Sequence, residues 1–329
     1  MKTPTFCTSF LADHLGDYVA LRRHLGYELR SQLYVLRQFD RVVEREMTAP
    51  GPLSRAVVEA FLRSLAGLQP ITRRLRLSTV RQFLLYLRQF EPATFIPERS
   101  LEPARSSPRA PYIYTDEEIH ALLRAALRYP CRYPARCWLL YRTLIAFLYA
   151  TGMRISEALA LTLGDIDWRR ALVHIRTTKF HKARLVPLTA STCDGLRRYL
   201  GARAERGHLT TPEAPLFVKA GGGRLPYRTA LGAFRCIVRM AGVGGQAGAR
   251  PPRLHDVRHT AAVRRLSLWY RDGKDVQALV PVLVTYLGHS ALRCTEIYLT
   301  TTAELLSEAS ARFERGFPLD ATPSAEDCG

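Results

Sequence analysis

The sequence contains no closely spaced cysteine pair. Its seven cysteines, Cys7, Cys131, Cys137, Cys193, Cys236, Cys294 and Cys328, are odd in number and form no CxxC. Cys131 and Cys137 are too far apart for a usual zinc knuckle and lack a matching pair. Reduced thiols in a cytoplasmic protein are expected, not a disulfide framework or a zinc site. The start of the chain, Met1 to Leu15, lacks a basic stretch followed by an apolar block, so no secretory signal is read there. Long hydrophobic runs are missing as well. The most apolar one, Trp138 to Ala150, is too short for a membrane span and is interrupted by Arg142, which fits a buried helix. No GxxxxGK[ST] phosphate loop occurs, and Gly221-Gly222-Gly223 reads only as a flexible turn. The carboxylate cluster that a metal-dependent nuclease requires is also absent, so no metal is expected.

Acidic residues are scarce. Asp and Glu number 29 against 48 Lys and Arg, a formal net charge of +19. An excess of this size implies a polyanionic partner, because arginine forks match phosphate oxygens; the alternative is a solvated basic surface. With 329 residues, 47% of them hydrophobic, the chain is long and apolar enough for two domains, each with its own core.

Helical spacing dominates the first part. Ser9 is a candidate cap for a first helix carrying Leu11, Leu15, Val19 and Leu21 inward, and Leu33, Leu36 and Phe39 fit a second, with Gly26-Tyr27 at the join. Pro50-Gly51-Pro52 breaks the chain. Ser54 can then cap a third helix with Val57, Val58, Phe61 and Leu62 inward. A fourth helix, from about Thr72 to Glu91, has Leu77, Val80, Leu84 and Leu87 as its apolar stripe. Beside that stripe run Arg74, Arg81 and Arg88 at seven-residue spacing. The row is either a phosphate-facing edge or an ordinary solvated face. Pro97 to Pro111 is a linker by composition.

After it, Thr115 and Glu118 stand at the positions of a capping box, and Trp138 to Leu148 reads as a core helix ended by Gly152. Arg154 opens the next helix, from Ile155 to Leu163. Glu157 lies one turn on, so it either holds that guanidinium or makes a plain surface ion pair. Val173 and Ile175, then Arg184 to Leu188, form two strands joined by a hairpin tip that carries Lys179 and Lys182. Helices are expected over Ser191–Arg203 and Thr229–Ala241. His255 and Arg258 lie one turn apart and can face one phosphate, whereas His259 suits a core or capping place. Leu287-Gly288-His289 follows, then Tyr298, whose phenol needs a proton acceptor and nearby positive charge to react. Leu305, Leu306, Ala309 and Phe313 stripe a last helix, whose apolar face must be buried somewhere. Pro318 to Gly329 reads as a disordered tail.

The ordered set Arg154, Lys179, His255-x-x-Arg258, His289 and Tyr298 resembles the tyrosine recombinases of the lambda-integrase and Xer kind, strongly from Tyr114 to about Phe313. A longer Arg258–His289 interval makes it more similar to members carried on transposons and integrating elements. The resemblance implies a mainly α protein with a small β-sheet. Residues 1–96 would be a SAM-like helical core-binding domain clamping DNA, 97–112 a linker, 113–316 an α+β catalytic domain and 317–329 the tail.

It also implies site-specific cutting and rejoining of double-stranded DNA through a 3′-phosphotyrosyl intermediate, without ATP, metal or other cofactor. Tyr298 would be the nucleophile and Arg154, Arg258 and His289 the phosphate ligands. His255 would be the proton acceptor, Lys179 (with Lys182 as rival) the proton donor, and Glu157 a support. A homo-oligomer on DNA, a tetramer in the synapse, is implied, with or without sister recombinases, in the cytoplasm at the nucleoid. A type IB topoisomerase-like relaxing enzyme and a non-catalytic DNA-binding accessory protein are the alternatives.

Overall fold

In a computed structural model of the chain, the described residues are 7–98, 101, 110–130, 137–176, 183–244 and 251–288, without the side chains of Arg30, Cys137 and Trp138. Two compact units result, Met1–Arg109 and Ala110–Gly329.

Among the described residues the first unit holds four α-helices: α1 (Ala12–His24), α2 (Arg30–Glu46), α3 (Arg55–Ser64) and α4 (Pro70–Leu87). The apolar stripes read from the sequence close on one another. Leu11, Leu15, Leu36, Phe39, Val58, Phe61, Leu77, Val80, Phe83 and Leu84 are buried together. Phe39 stacks edge-on against Phe61 at 5.4 Å, a pairing that adds specificity to the burial. Leu21 departs from expectation and stands exposed, because the α1 stripe ends at Val19. Two expected caps act differently. Ser9 Oγ accepts from the Leu11 N–H and donates to the buried Asp40, so it fastens α1 to α2 from before the helix start. Ser54 sits at the N-cap of α3 but makes no side-chain cap bond.

The second unit is built around α6 (Cys137–Thr151), which packs against α5 (Asp116–Leu127), α8 (Ala190–Ala204), α9 (Tyr227–Met240) and α10 (Leu254–Arg271). Thr115 and Glu118 form the expected capping box at the start of α5. A three-stranded antiparallel sheet lies in the order β1 (Ile166–Asp167), β2 (Leu172–Ile175), β3 (Arg184–Pro187), with Val173 paired to Val186 in the middle. β1 is too short to show alternation in the sequence.

The helix α7 spans Ile155–Ala160 and stops short of the expected Leu163, giving way to a 3-10 turn over Leu163–Asp165. Its N–H and hydroxyl donated to Asp165, Thr162 caps that turn from the front. The long interval between Arg258 and His289 contains a helix of its own, α11 (Val276–Leu287), capped by Asp275. Its Val276, Val280, Leu283 and Leu287 bury against Ala262, Val263 and Leu266 of α10, a small separate core that fixes where the C-terminal end of α11 lies. No helix among the described residues is long and apolar enough to cross a membrane. The expected hairpin tip, C-terminal helix and tail lie outside the described residues, as does most of the expected linker.

Candidate active site

Two glycines create the frame of the site. Gly152 ends α6 in the left-handed region, at φ +59°, where a side chain is strained. A Cβ there would also approach Leu287 Cδ2 to 3.0 Å. Gly288 ends α11 in the same conformation, at φ +67°. The two turns are therefore brought side by side, and the arginines reach across them.

Arg154 sits at the N-cap of α7. Its Nη1 donates to Glu157 Oε1 at 2.9 Å, and its Nη2 to the Gly288 carbonyl at 2.8 Å, 134 residues away in sequence. Arg258, on the first turns of α10 and 2% exposed, donates from Nη1 to the Gly152 carbonyl at 2.8 Å and from Nη2 to the Leu287 carbonyl at 2.7 Å. The two guanidiniums thus grip successive carbonyls at the end of α11. Those carbonyls have no partner inside the helix and carry the negative end of its dipole, which suits cations.

Glu157 is buried and bridges two arginines. Arg184, at the start of β3, donates to both of its oxygens, at 3.1 Å (Oε1) and 2.7 Å (Oε2), while the Arg154 N–H reaches Oε2 at 3.0 Å. Burial alone pushes the Glu157 carboxyl up. The Arg184 and Arg154 bonds outweigh it, and its pKa lies below the usual value. Breaking such a buried pair on one side leaves an uncompensated charge, at a cost of about 3–5 kcal/mol. Of the two readings of Glu157, the surface ion pair is therefore excluded.

His255 is exposed on α10, one turn before Arg258. The protein around its ring and the positive charge of Arg258 push its pKa below the ordinary histidine value. Arg253 and Arg154 add to this, and Asp256 opposes it. His259 packs edge-on against His255 at 4.8 Å, and desolvation together with that neighbour brings its pKa down to about 4. Asp256, wholly buried, anchors the start of α10 by accepting from the Arg253 N–H at 2.7 Å and from its guanidinium at 2.8 Å. Tyr114 completes the seat, with its N–H on Thr260 Oγ1 and its hydroxyl on the Arg253 carbonyl.

Arg154, Glu157, His255 and Arg258 are thus gathered at one place. Lys179, Lys182, His289 and Tyr298 lie outside the described residues. Arg74, Arg81 and Arg88 belong to the first unit, where Arg81 Nε donates to the Pro97 carbonyl at 3.0 Å. Sequence reasoning gave Arg184 no place in the site: it served as the start of a strand and as the residue five positions after Lys179. An arginine opening a strand just after a lysine-bearing hairpin was the available signal. It also missed the Arg253–Asp256 anchor, which i,i+3 spacing did offer. Among the described residues no group of three or more His, Cys, Asp or Glu is arranged to hold a metal ion.

Comparison with known proteins follows the same lines. The model of the phage integrase family matches residues 113–304. A Sinorhizobium fredii protein named as an integrase/recombinase, y4rB, is 38% identical over 302 residues, covering 91% of this chain and 95% of that one. The Tn1549 transposon integrase, solved in complex with transposon right end DNA, superposes with a TM-score of 0.63 at 18% identity, over 91% of this chain and 97% of that chain. A lambda integrase dimer bound to a COC′ core site gives 0.62 at 17%, over 86% and 96%. These two share the fold. The matched family model and the close relative, falling on the segment that carries the arginine cluster, show that the chain belongs to the phage integrase family, the tyrosine recombinases.

Proposed function

We propose that this recombinase cuts and rejoins double-stranded DNA through a 3′-phosphotyrosyl intermediate formed on Tyr298, in the service of a mobile element. One observation carries the reading: Arg154 and Arg258 converge on the Gly288 and Leu287 carbonyls, immediately before His289 and ten residues before Tyr298. A guanidinium has five N–H donors in a fixed fork, so one already steadied by carbonyls presents its remaining face to a phosphate with little reorganisation.

In the proposed step Tyr298 Oη bonds to the scissile phosphorus as the bond to the 5′-oxygen breaks. The tyrosine proton passes to His255. That ring is suited to accept it, since its lowered pKa keeps it neutral at neutral pH. Lys179 protonates the departing 5′-oxygen. Arg154, Arg258 and His289 hold the non-bridging oxygens as charge builds. The partner strand's 5′-hydroxyl then reverses the sequence and releases Tyr298, so the energy of the phosphodiester is conserved and neither ATP nor metal enters the balance. Glu157 orients Arg154.

The first unit contributes Arg74, Arg81 and Arg88 as contacts to backbone phosphates of the duplex. The working form is a homo-oligomer on DNA, a tetramer when two sites are paired, alone or with sister recombinases. The mobile-element role draws on the long Arg258–His289 interval and on the fold shared with a transposon integrase.

The deciding experiment uses a nicked suicide duplex recovered by selecting bound fragments from random-sequence DNA. The wild type is expected to trap DNA covalently, in EDTA as well as without it. Tyr298→Phe should bind that duplex normally and trap none. Trapping by Tyr298→Phe would remove Tyr298 from the role, and loss of trapping in EDTA would remove the metal-free mechanism.

A further inference from the structure

We infer that Arg184 is a positioning residue of the cluster: it sets the Glu157 carboxylate against Arg154 and, with the same side chain, ties the start of β3 to the end of α11. The inference rests on the proposed role of Arg154 at the phosphate, and its test separates the two.

Arg184 spends its fork on two elements. Nη1 and Nη2 take the two oxygens of Glu157, at 3.1 and 2.7 Å, and Nε donates to the Tyr286 carbonyl at 2.9 Å. Each Glu157 oxygen therefore accepts from both arginines, since Oε1 also takes Arg154 Nη1 and Oε2 the Arg154 N–H. The more enclosed partner decides the carboxylate's orientation. The Arg184 side chain is 8% exposed and that of Arg154 27%. Gly288 supplies the room, because a Cβ there would lie 2.5 Å from Arg184 Nη1 and 2.9 Å from Cζ. One side chain thus reads the register of three segments, α7, β3 and the α11 terminus, and a shift in any of them reaches Arg154 through Glu157.

Charge reinforces the geometry. A carboxylate as buried as Glu157 tends towards its neutral form, and the Arg184 bonds are the largest influence against that. Among the described residues, the other charged and titratable groups near Glu157 are Arg154 at the N-cap of α7 and, across a cavity of about 360 Å³ on its flank, Asp165, His174, Arg176 and Glu213. Arg176 is engaged with Asp165 at 2.8 Å, so among the described residues Arg184 is the cation that holds the Glu157 carboxylate from outside its own helix.

The test uses the full chain and two readouts: titration of the Glu157 carboxyl by ¹³C NMR without DNA, and the pH profile of single-turnover trapping on the selected nicked duplex. Arg184→Gln is expected to raise the Glu157 titration. It should also slow trapping near neutral pH by about 10- to 100-fold, the range for partners that orient a reacting group, and move the acid limb to higher pH. Duplex affinity should stay unchanged. Arg184→Lys should return the acid limb close to its wild-type place without restoring the plateau, because an ammonium cannot serve both carboxylate oxygens and the Tyr286 carbonyl. Gly288→Ala, which displaces the fork, should resemble Arg184→Gln.

If Arg184→Gln does not fold, the titration and profile of Arg184→Lys and Gly288→Ala decide. An unmoved Glu157 titration together with a wild-type trapping profile overturns the inference. A shifted titration in a protein whose wild type traps no DNA sinks the proposed chemistry instead and leaves the coupling standing.

Discussion

In the first unit three arginines follow one another along a single helix; in the second, three arginines arrive from three different elements. Arg74 and Arg81 are half-buried on α4 and Arg88 is exposed just beyond its end, with Arg81 resting on a nearby carbonyl. Arg154, Arg184 and Arg258 are each fastened to oxygens of remote segments, and Arg184 and Arg258 are almost wholly enclosed. The same side chain therefore does two jobs. On the helix row, under the proposed reading, it would be general positive charge for backbone phosphates. In the cluster its fork is already held in place by carbonyls of remote segments.

The comparison is broken most directly by exchanging Arg258 for Lys. A lysine keeps the charge but cannot span the Gly152 and Leu287 carbonyls. Trapping should fall by a factor of about 10² or more, the loss typical of one preorganised donor. A rate within a few-fold of wild type would show that charge alone suffices there and that the cluster is no more specialised than the row.

Next comes the row itself. Replacing Arg74, Arg81 and Arg88 together by Gln should weaken duplex binding evenly across sequences. The slope of log K against log salt should shrink by about 0.9 for each phosphate that is no longer neutralised. An unchanged slope assigns the row to a solvated face.

The smallest expected effect concerns His259. Its pKa in the folded chain is about 4, against about 6.5 for a free histidine. The unfolded chain therefore takes up a proton first, so this contribution to stability is complete above about pH 6.5 and is lost as pH falls towards 4. Thermal unfolding across that window should slope less in His259→Asn than in the wild type. Equal slopes would place the acid sensitivity elsewhere, with His255 the next candidate.

How much of this was legible in the sequence follows from distance along the chain. The Arg154–Glu157 pair, the Thr115–Glu118 box and the His255–Arg258 turn are local, and their spacing announced them. The Arg184–Glu157 fork spans 27 residues, and its second attachment is a backbone carbonyl, which no side-chain pattern reports. For the same reason the carbonyls of Gly152, Leu287 and Gly288 were invisible as acceptors. The Arg258–His289 interval was read only as long, although the apolar residues of α11 within it fill a core of their own. Leu21 looked like part of a stripe because periodicity counts turns and not the neighbours that end them.

The span of these bonds has one more consequence. Arg154 meets its acceptor at Gly288, 134 residues downstream, and Arg258 looks back 106 residues to Gly152. As a growing chain leaves the ribosome, Arg154, Arg184 and Arg258 all emerge before the end of α11, where each finds a carbonyl acceptor. Translation products that stop before Leu287 would carry Arg154 and Arg258 without the Gly288 and Leu287 carbonyls that fasten them.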